Sequence, residues 1–244
     1  MVFSAIAREI GRLIRGALPF AVVDNNPGGI ISTAISHRTV QSAIDEKNNL
    51  IFIKAGTYPK FDCDNANTLI IGSHGVLIDG GTSGDAITVS AAGCTVIGIR
   101  AKTTPGGGTA YVPVKSTGAN ATFLDVTGDD ADGTYAFTLA AEYNRIIACR
   151  LADGDSSGFA FYGGDRGIAI GNQMDFTGYY GIVFTYPSSS GSNEGVDVGN
   201  LTRASGTNVG TAPNAEDCLI VGNSGDSTCL DVAGTGTIAS NETW

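Results

Sequence analysis

The stretch SGFAFYGGDRGIAIGNQMDFTGYYGIVFTY, residues 157–186, contains one motif twice: SGFAF (157–161) and YGIVF (180–184) are built alike. Following that position outward gives Val89, Val114, Phe137, Phe161, Phe184, Val209 and Val232, at steps of 25, 23, 24, 23, 25 and 23 residues. A second column runs through Arg100, Thr127, Arg150, Asn172, Asn200, Asn223 and Asn241, at steps of 27, 23, 22, 28, 23 and 18. Three of its members share a context: IGNQ (170–173), VGNL (198–201) and VGNS (221–224). Two columns with one period define an internal repeat of about two dozen residues, the signature of a stacked architecture.

Each repeat holds short β-type runs, such as TVIGI (95–99), RIIA (145–148) and GIAI (167–170), separated by Gly, Asp, Asn and Ser. None holds a helix-length periodic segment, which removes leucine-rich, ankyrin and tetratricopeptide repeats, and four-stranded propeller blades need nearly twice the period. A single-stranded right-handed parallel β-helix of about seven to eight coils is expected. Successive coils then lie ~4.8 Å apart, and equivalent positions fall into vertical ladders. Phe137, Phe161 and Phe184 are expected to stack inside. Asn172, Asn200 and Asn223 are expected to form an amide ladder at a bend, where Asn tolerates left-handed backbone.

The composition fits. The chain has 244 residues, 35 of them Gly, and only 16% are charged, against roughly 25% in an ordinary domain. Tight corners call for Gly, and stacked strands have little use for charge. An apolar share of 42% excludes disorder, the Gly has no three-residue period as in collagen, and no apolar run is long enough to span a membrane. A net charge of -10 argues against a nucleic-acid partner. Five cysteines, at spacings that match no zinc pattern, are expected to be reduced and buried.

A solenoid exposes strand edges at its ends and needs caps. TVQSAIDEKNN (39–49) has the form of one: Thr39 is placed to cap a helix, and Val40, Ala43 and Ile44 share a face. The run LIFI (50–53) and the turn KAGTY (54–58) follow. The whole stretch, 39–58, resembles the opening motif of the pectate-lyase-like β-helix superfamily, which includes many bacteriophage tailspikes, with Lys54 where Pro is common. The resemblance, with the repeat, covers about residues 36–244. It implies the fold. The superfamily mixes lyases, hydrolases and non-catalytic virion proteins, so it implies no one activity.

Residues 1–35 are expected to form a separate N-terminal arm, an amphipathic helix plus a linker. Phe3, Ile6, Ile10, Leu13 and Ala17 follow a 3-4-3-4 spacing, and Pro19 stops the helix. With Arg8, Arg12 and Arg15 against Glu9, residues 1–20 carry +2 and the rest of the chain -12. The arm's apolar and basic residues suit packing within an oligomer or docking on an acidic partner, more than a membrane surface. NNPGG (25–29) marks the linker as a turn.

Chemistry is sparse. No cofactor or metal motif is present, and His37 and His74 assemble into no triad. The catalytic candidates are Asp130, Asp153 and Asp175, each three residues past the second column, with Arg203 and Asp226 continuing it. Stacked carboxylates one coil apart fall in the separation range of a retaining glycosidase. Asp is also a good turn residue that recurs because the turn recurs. Tyr162, Tyr179, Tyr180 and Tyr186 are candidate sugar-stacking side chains or a subunit seam. The phage resemblance, the shortness of the chain, the lack of a secretory leader in it and the distinct arm together lead to an expected function. That is a non-catalytic virion component made in the host cytoplasm: a homotrimeric capsid decoration (cement) protein on the capsid surface. Its partner would be a viral capsid protein, docked through Phe3, Ile6, Arg8, Ile10, Arg12, Leu13 and Arg15. The alternative is a short tailspike or polysaccharide-degrading enzyme that binds a surface glycan and uses the Asp column.

Overall fold

The computed structural model describes residues 20–25, 36–104, 111–129, 135–152, 157–162, 166–175, 180–185, 195–203, 207–211, 218–225, 230–232, 236–239 and 242–243. It is an all-β parallel solenoid with three sheets of 11, 9 and 8 strands, here A, B and C. Each circuit passes one short strand through A, B and C in turn. In the coil around Phe123 these are Thr122–Leu124, Thr127–Asp129 and Tyr135–Leu139. Every strand pairs in parallel with its equivalents one coil away, so the backbone bonds run along the solenoid axis. The expected arm helix lies outside the described residues.

Two columns of left-handed residues set two of the three corners. Between A and B they are Gly98, Asp125, Ala148, Gly171, Gly199 and Gly222, with φ from +51° to +67°. Between C and A they are Asn67, Gly93, Asn120, Tyr143 and Arg166, with φ from +57° to +74°. The first column corrects one expectation. The left-handed residue in IGNQ, VGNL and VGNS is the Gly, and the Asn after it turns inward. Asn172, Asn200 and Asn223 are each 1% exposed. Asn200 Oδ1 accepts from Asn172 N at 2.7 Å and from Asn172 Nδ2 at 2.8 Å, and Asn223 Oδ1 accepts from Asn200 N at 2.8 Å. Asn172 Oδ1 accepts from Cys149 N at 2.8 Å. The amides thus satisfy buried N–H groups where the chain bends out of ladder geometry.

The core is a set of inward ladders. On sheet A it runs Ile51, Ile70, Val96, Phe123, Ile146 and Ala169, all fully buried. On sheet C, Phe137 lies opposite Phe159, with ring centroids 4.6 Å apart, while Phe161 lies opposite Leu139 and Phe184. The expected Phe137–Phe161 stack is therefore two residues out of register. A slip of two preserves the alternation of faces along the strand. Phe137 also meets Phe123 edge-on at 6.2 Å. Room for its ring comes from sheet B, where a Cβ on Gly128 would sit 2.8 Å from Phe137 Cε2.

The N-terminal end departs from the expected boundary. Phe20–Val23, assigned to a linker, is a strand of sheet A that pairs along Leu50–Ile53, and Ser36–His37 pairs on its other side. The short cap helix, Val40–Asp45, begins at Thr39, whose Oγ1 accepts from Ser42 N at 3.1 Å. It buries Val40, Ala43 and Ile44. Lys54, which stands where Pro is common in the resembling motif, holds the added strand. Its N–H donates to Val23 O at 3.0 Å, and its Nζ donates to Asp24 Oδ2 at 2.6 Å. Proline has no N–H to give. Tyr58 completes the latch: its buried hydroxyl donates to Lys54 O at 2.9 Å, and burial raises its pKa.

Lys54→Pro should therefore speed hydrogen exchange across residues 20–24 and lower stability by about 1–3 kcal/mol, the cost of stranding a buried acceptor. Lys54→Ala keeps the N–H and loses a half-exposed ion pair, worth about 1 kcal/mol or less. Exchange by mass spectrometry with denaturant melts reads both. Equal exchange in the two variants would mean the backbone bond does not hold the strand.

Candidate functional site

The expected carboxylate column is not assembled as drawn. Asp130 and Asp153 lie outside the described residues. Asp175 ends the strand Gln173–Asp175 and pairs in register with Ala152 on one side and Arg203 on the other, not with Asp153. The cause is a one-residue slip in the second column. Arg150 registers with Gln173, so Asn172 belongs to the position before it. The docking residues Phe3, Ile6, Arg8, Ile10, Arg12, Leu13 and Arg15 also lie outside the described residues, as do Tyr179 and Tyr186.

The outward column that sheet B does present is Asp79, Lys102 and Asp129 on successive coils. Signs alternate, so each charge has an opposite neighbour ~4.8 Å away along the axis. Lys102 Nζ sits 3.2 Å from Asp79 Oδ2, and Arg100 Nε donates to Asp129 Oδ2 at 2.7 Å. On sheet C, Lys115 stands between Thr88 and Thr138 in register, and its Nζ sits 3.3 Å from Oδ2 of Asp85, just before the neighbouring strand. A carboxylate dyad needs two acids on neighbouring rungs. Here a lysine separates them. Among the described residues no group of three His, Cys, Asp or Glu is placed to hold a metal.

The described residues line a larger and a smaller groove on this surface. The larger, about 490 Å³, follows the corner between A and B and is lined by His74, Leu77, Arg100, Asp125 and Thr127. The smaller, about 290 Å³, is lined by Gln41, Lys60, Asp62, Asp85 and Thr88 beside the cap helix. In the smaller groove Gln41 Oε1 accepts from Asp62 N at 2.8 Å, and Asp62 Oδ1 accepts from Ser90 Oγ at 2.7 Å, so its polar groups serve the fold. His37 is buried against the cap, 3.6 Å from Glu46 Oε2. His74 is exposed in the larger groove.

The outer face of sheet A differs in kind. One outward ladder reads Val22, Phe52, Ile71, Ile97 and Leu124, and continues through Ile147, Ile170, Val198 and Val221. Every rung is apolar. The parallel ladder two residues earlier is apolar at both ends, with Leu50 and Leu69 at one and Ile168, Val196 and Leu219 at the other. Thr95, Thr122 and Arg145 occupy its middle. These side chains are half-buried by one another, and Ile170 and Leu219 remain 39% and 37% exposed.

Among the described residues two thiols meet in the core. Cys63 and Cys94 are buried and unbridged, and Cys63 Sγ donates to Cys94 Sγ at 3.4 Å. That donated bond, assisted by backbone donors, pulls the Cys94 thiol down to about 7 against the opposing effect of burial. The same bond, together with burial, pushes Cys63 up. Cys149 is pushed up to about 12 by burial. A group that ionises below its ordinary value of 9.0 stabilises the fold above that value, and the gain is lost as pH falls through about 7. Stability should thus rise with pH between about 7 and 9, before the suppressed ionisation of Cys63 reverses the slope. Thiolate ultraviolet absorbance of the folded chain should show a step near pH 7 that vanishes in Cys94→Ser and moves upward in Cys63→Ala. A step unmoved by Cys63→Ala would show that the neighbouring thiol is not its cause.

The chain matches no protein-family model and no curated protein. Among solved structures it is similar to the pectin methylesterase from carrot, with a TM-score of 0.54 and 14% identity over 93% of this chain and 87% of that one. It is also similar to the pectin methylesterase from Aspergillus niger, with a TM-score of 0.56 and 10% identity over 92% and 86%. A Geobacillus virus E2 protein, ORF18, aligns over 99% of this chain and 63% of that chain at 13% identity, with a TM-score of 0.44, too loose to bear on function. At these identities the likeness is one of fold alone.

Proposed function

We propose that this chain is a non-catalytic structural protein of a virus particle: a homotrimeric decoration protein of seven to eight coils that grips the shell through its basic N-terminal arm. The observation that carries this reading is the division of the solenoid's surface. Sheet A presents a continuous apolar ladder, whereas sheet B carries the alternating column Asp79, Lys102 and Asp129 and sheet C carries Lys115 paired with Asp85. An apolar face of that length is made to be covered, as in a subunit of an assembly. The phage-type opening motif at 39–58 and the +2 arm set against a -12 body agree with it.

A second reading is a polysaccharide-acting enzyme. It draws on the groove that gathers His74, Arg100 and Asp125, and on the fold shared with two pectin methylesterases. The Asp130, Asp153 and Asp175 column does not support it, since Asp175 stands between Ala152 and Arg203 in register.

Deletion of residues 1–18 spares the strand Phe20–Val23 and separates the readings. The truncated chain should keep its far-ultraviolet circular dichroism and melting temperature, and lose co-sedimentation with viral shells that bind the full chain. Retained co-sedimentation would overturn the arm's role. Release of methanol, reducing ends or unsaturated product from pectin or a host glycan, abolished by Arg100→Ala, would establish the enzyme instead.

A further inference from the structure

We infer that the outer face of sheet A is where copies of this chain meet one another, side by side and parallel, with equivalent coils level. The inference rests on the trimeric reading above and names the surface that reading requires. The ladder from Val22 to Val221 spans eight coil steps, about 38 Å at ~4.8 Å each. With the second ladder about 7 Å to its side and the width of the side chains, the footprint is about 500 Å². That matches the largest patch found on ordinary monomers, roughly 300–600 Å², where such patches are often functional. A stable interface buries about 800 Å² per partner, with an apolar centre and a polar rim. The stripe supplies the centre, and the corner residues that flank it supply the rim.

Charge selects the occupant. The chain carries -10, so two copies repel when they approach through their charged faces. The outward ladder through Ile97, Ile147 and Ile170 carries no charge, so it meets its own kind without repulsion. Closed threefold symmetry with this stripe turned toward the axis requires the axis to run along the solenoid, because every copy must present the same face. Each rung then sits level with the same rung in its neighbours. The one cation in the second ladder, Arg145, lies between Thr122 and Ile168, midway along that ladder and to one side of the continuous apolar ladder.

Light scattering coupled to size exclusion, on the full chain at about 10 μM, should give a mass about three times 24.9 kDa. Ile147→Asp should fold, by circular dichroism, and raise the dissociation constant about 100-fold or more, because each copy would bury an unpaired carboxylate. Thr138→Asp, outward on sheet C, should leave the oligomer intact. If Ile147→Asp does not fold, Ile147→Cys decides: mild oxidation should link copies through that position at equal height, identified by mass spectrometry. A monomeric wild-type chain, an Ile147→Asp oligomer of unchanged affinity, or no linkage through Cys at 147 would overturn the inference. If the wild-type chain is monomeric with the face shielded, and deletion of residues 1–18 exposes it, the occupant is the chain's own arm, which also overturns it. A monomer that still binds shells defeats this inference and leaves the decoration role standing. An oligomer that ignores shells does the reverse.

Discussion

Everything in this molecule follows from one constraint, the backbone hydrogen bond between successive coils. Parallel strands of neighbouring circuits must lie ~4.8 Å apart to bond, so a residue at a given place in one coil touches the residue at the same place in the next. Side chains therefore act as columns. Inside, the constraint makes the Ile51-to-Ala169 ladder and the contact of Phe137 with Phe159. At the corner it lets Asn172, Asn200 and Asn223 hand one hydrogen bond along the axis. Outside, it turns a single recurring apolar residue into a stripe running the length of the solenoid. A change in one rung is felt by the rungs above and below, and the two ends are the places where the pattern has to be closed off.

The period was legible because one corner barely varies. The left-handed Gly followed by Asn marks the turn from sheet A to sheet B in three coils, in nearly the same words. The register was not legible to the residue, because the turn from B to C changes length from coil to coil. Pro59 is separated from Phe61 by one residue, while Lys102 and Val114 lie eleven apart in the intervening chain. The corner Asn also stands one position before the strand residue that Arg150 pairs with, so a column counted through it slips by one. The drift of two in the Phe column is even and preserves the alternation along the strand. A drift of one misplaced the Asp column, since it set Asp153 beside Asp175 where Ala152 stands. The strand Phe20–Val23 was missed for a different reason. Four residues followed closely by NNPGG read as linker, and their partner is supplied from elsewhere in the chain. The signal lay in Lys54, which supplies an N–H where the resembling motif supplies none.

The candidate surface was partly written in the strands. A sheet that faces water on one side alternates apolar and polar residues, whereas LIFI (50–53), LIIG (69–72) and CLIV (218–221) are apolar throughout. Such runs belong to strands covered on both faces. One face is covered by the solenoid's own core, and among the described residues none forms a second layer over the other. Sheet B makes the contrast. Asp79, Lys102 and Asp129 alternate because like charges at 4.8 Å would repel, so the same column rule that concentrates apolar residues on one side neutralises charge on another. The smaller groove lies beside the cap helix, and Gln41 in it is bonded to the backbone of Asp62.

The central claim is that the outer face of sheet A is covered in the assembled protein while sheets B and C meet solvent. Carbene footprinting of the native chain, read by mass spectrometry residue by residue, tests it most directly. Protection of Ile97, Ile147 and Ile170, with strong labelling around Lys102 and Lys115, is the expected result. Labelling of Ile97, Ile147 and Ile170 as strong as that of the charged faces would contradict it.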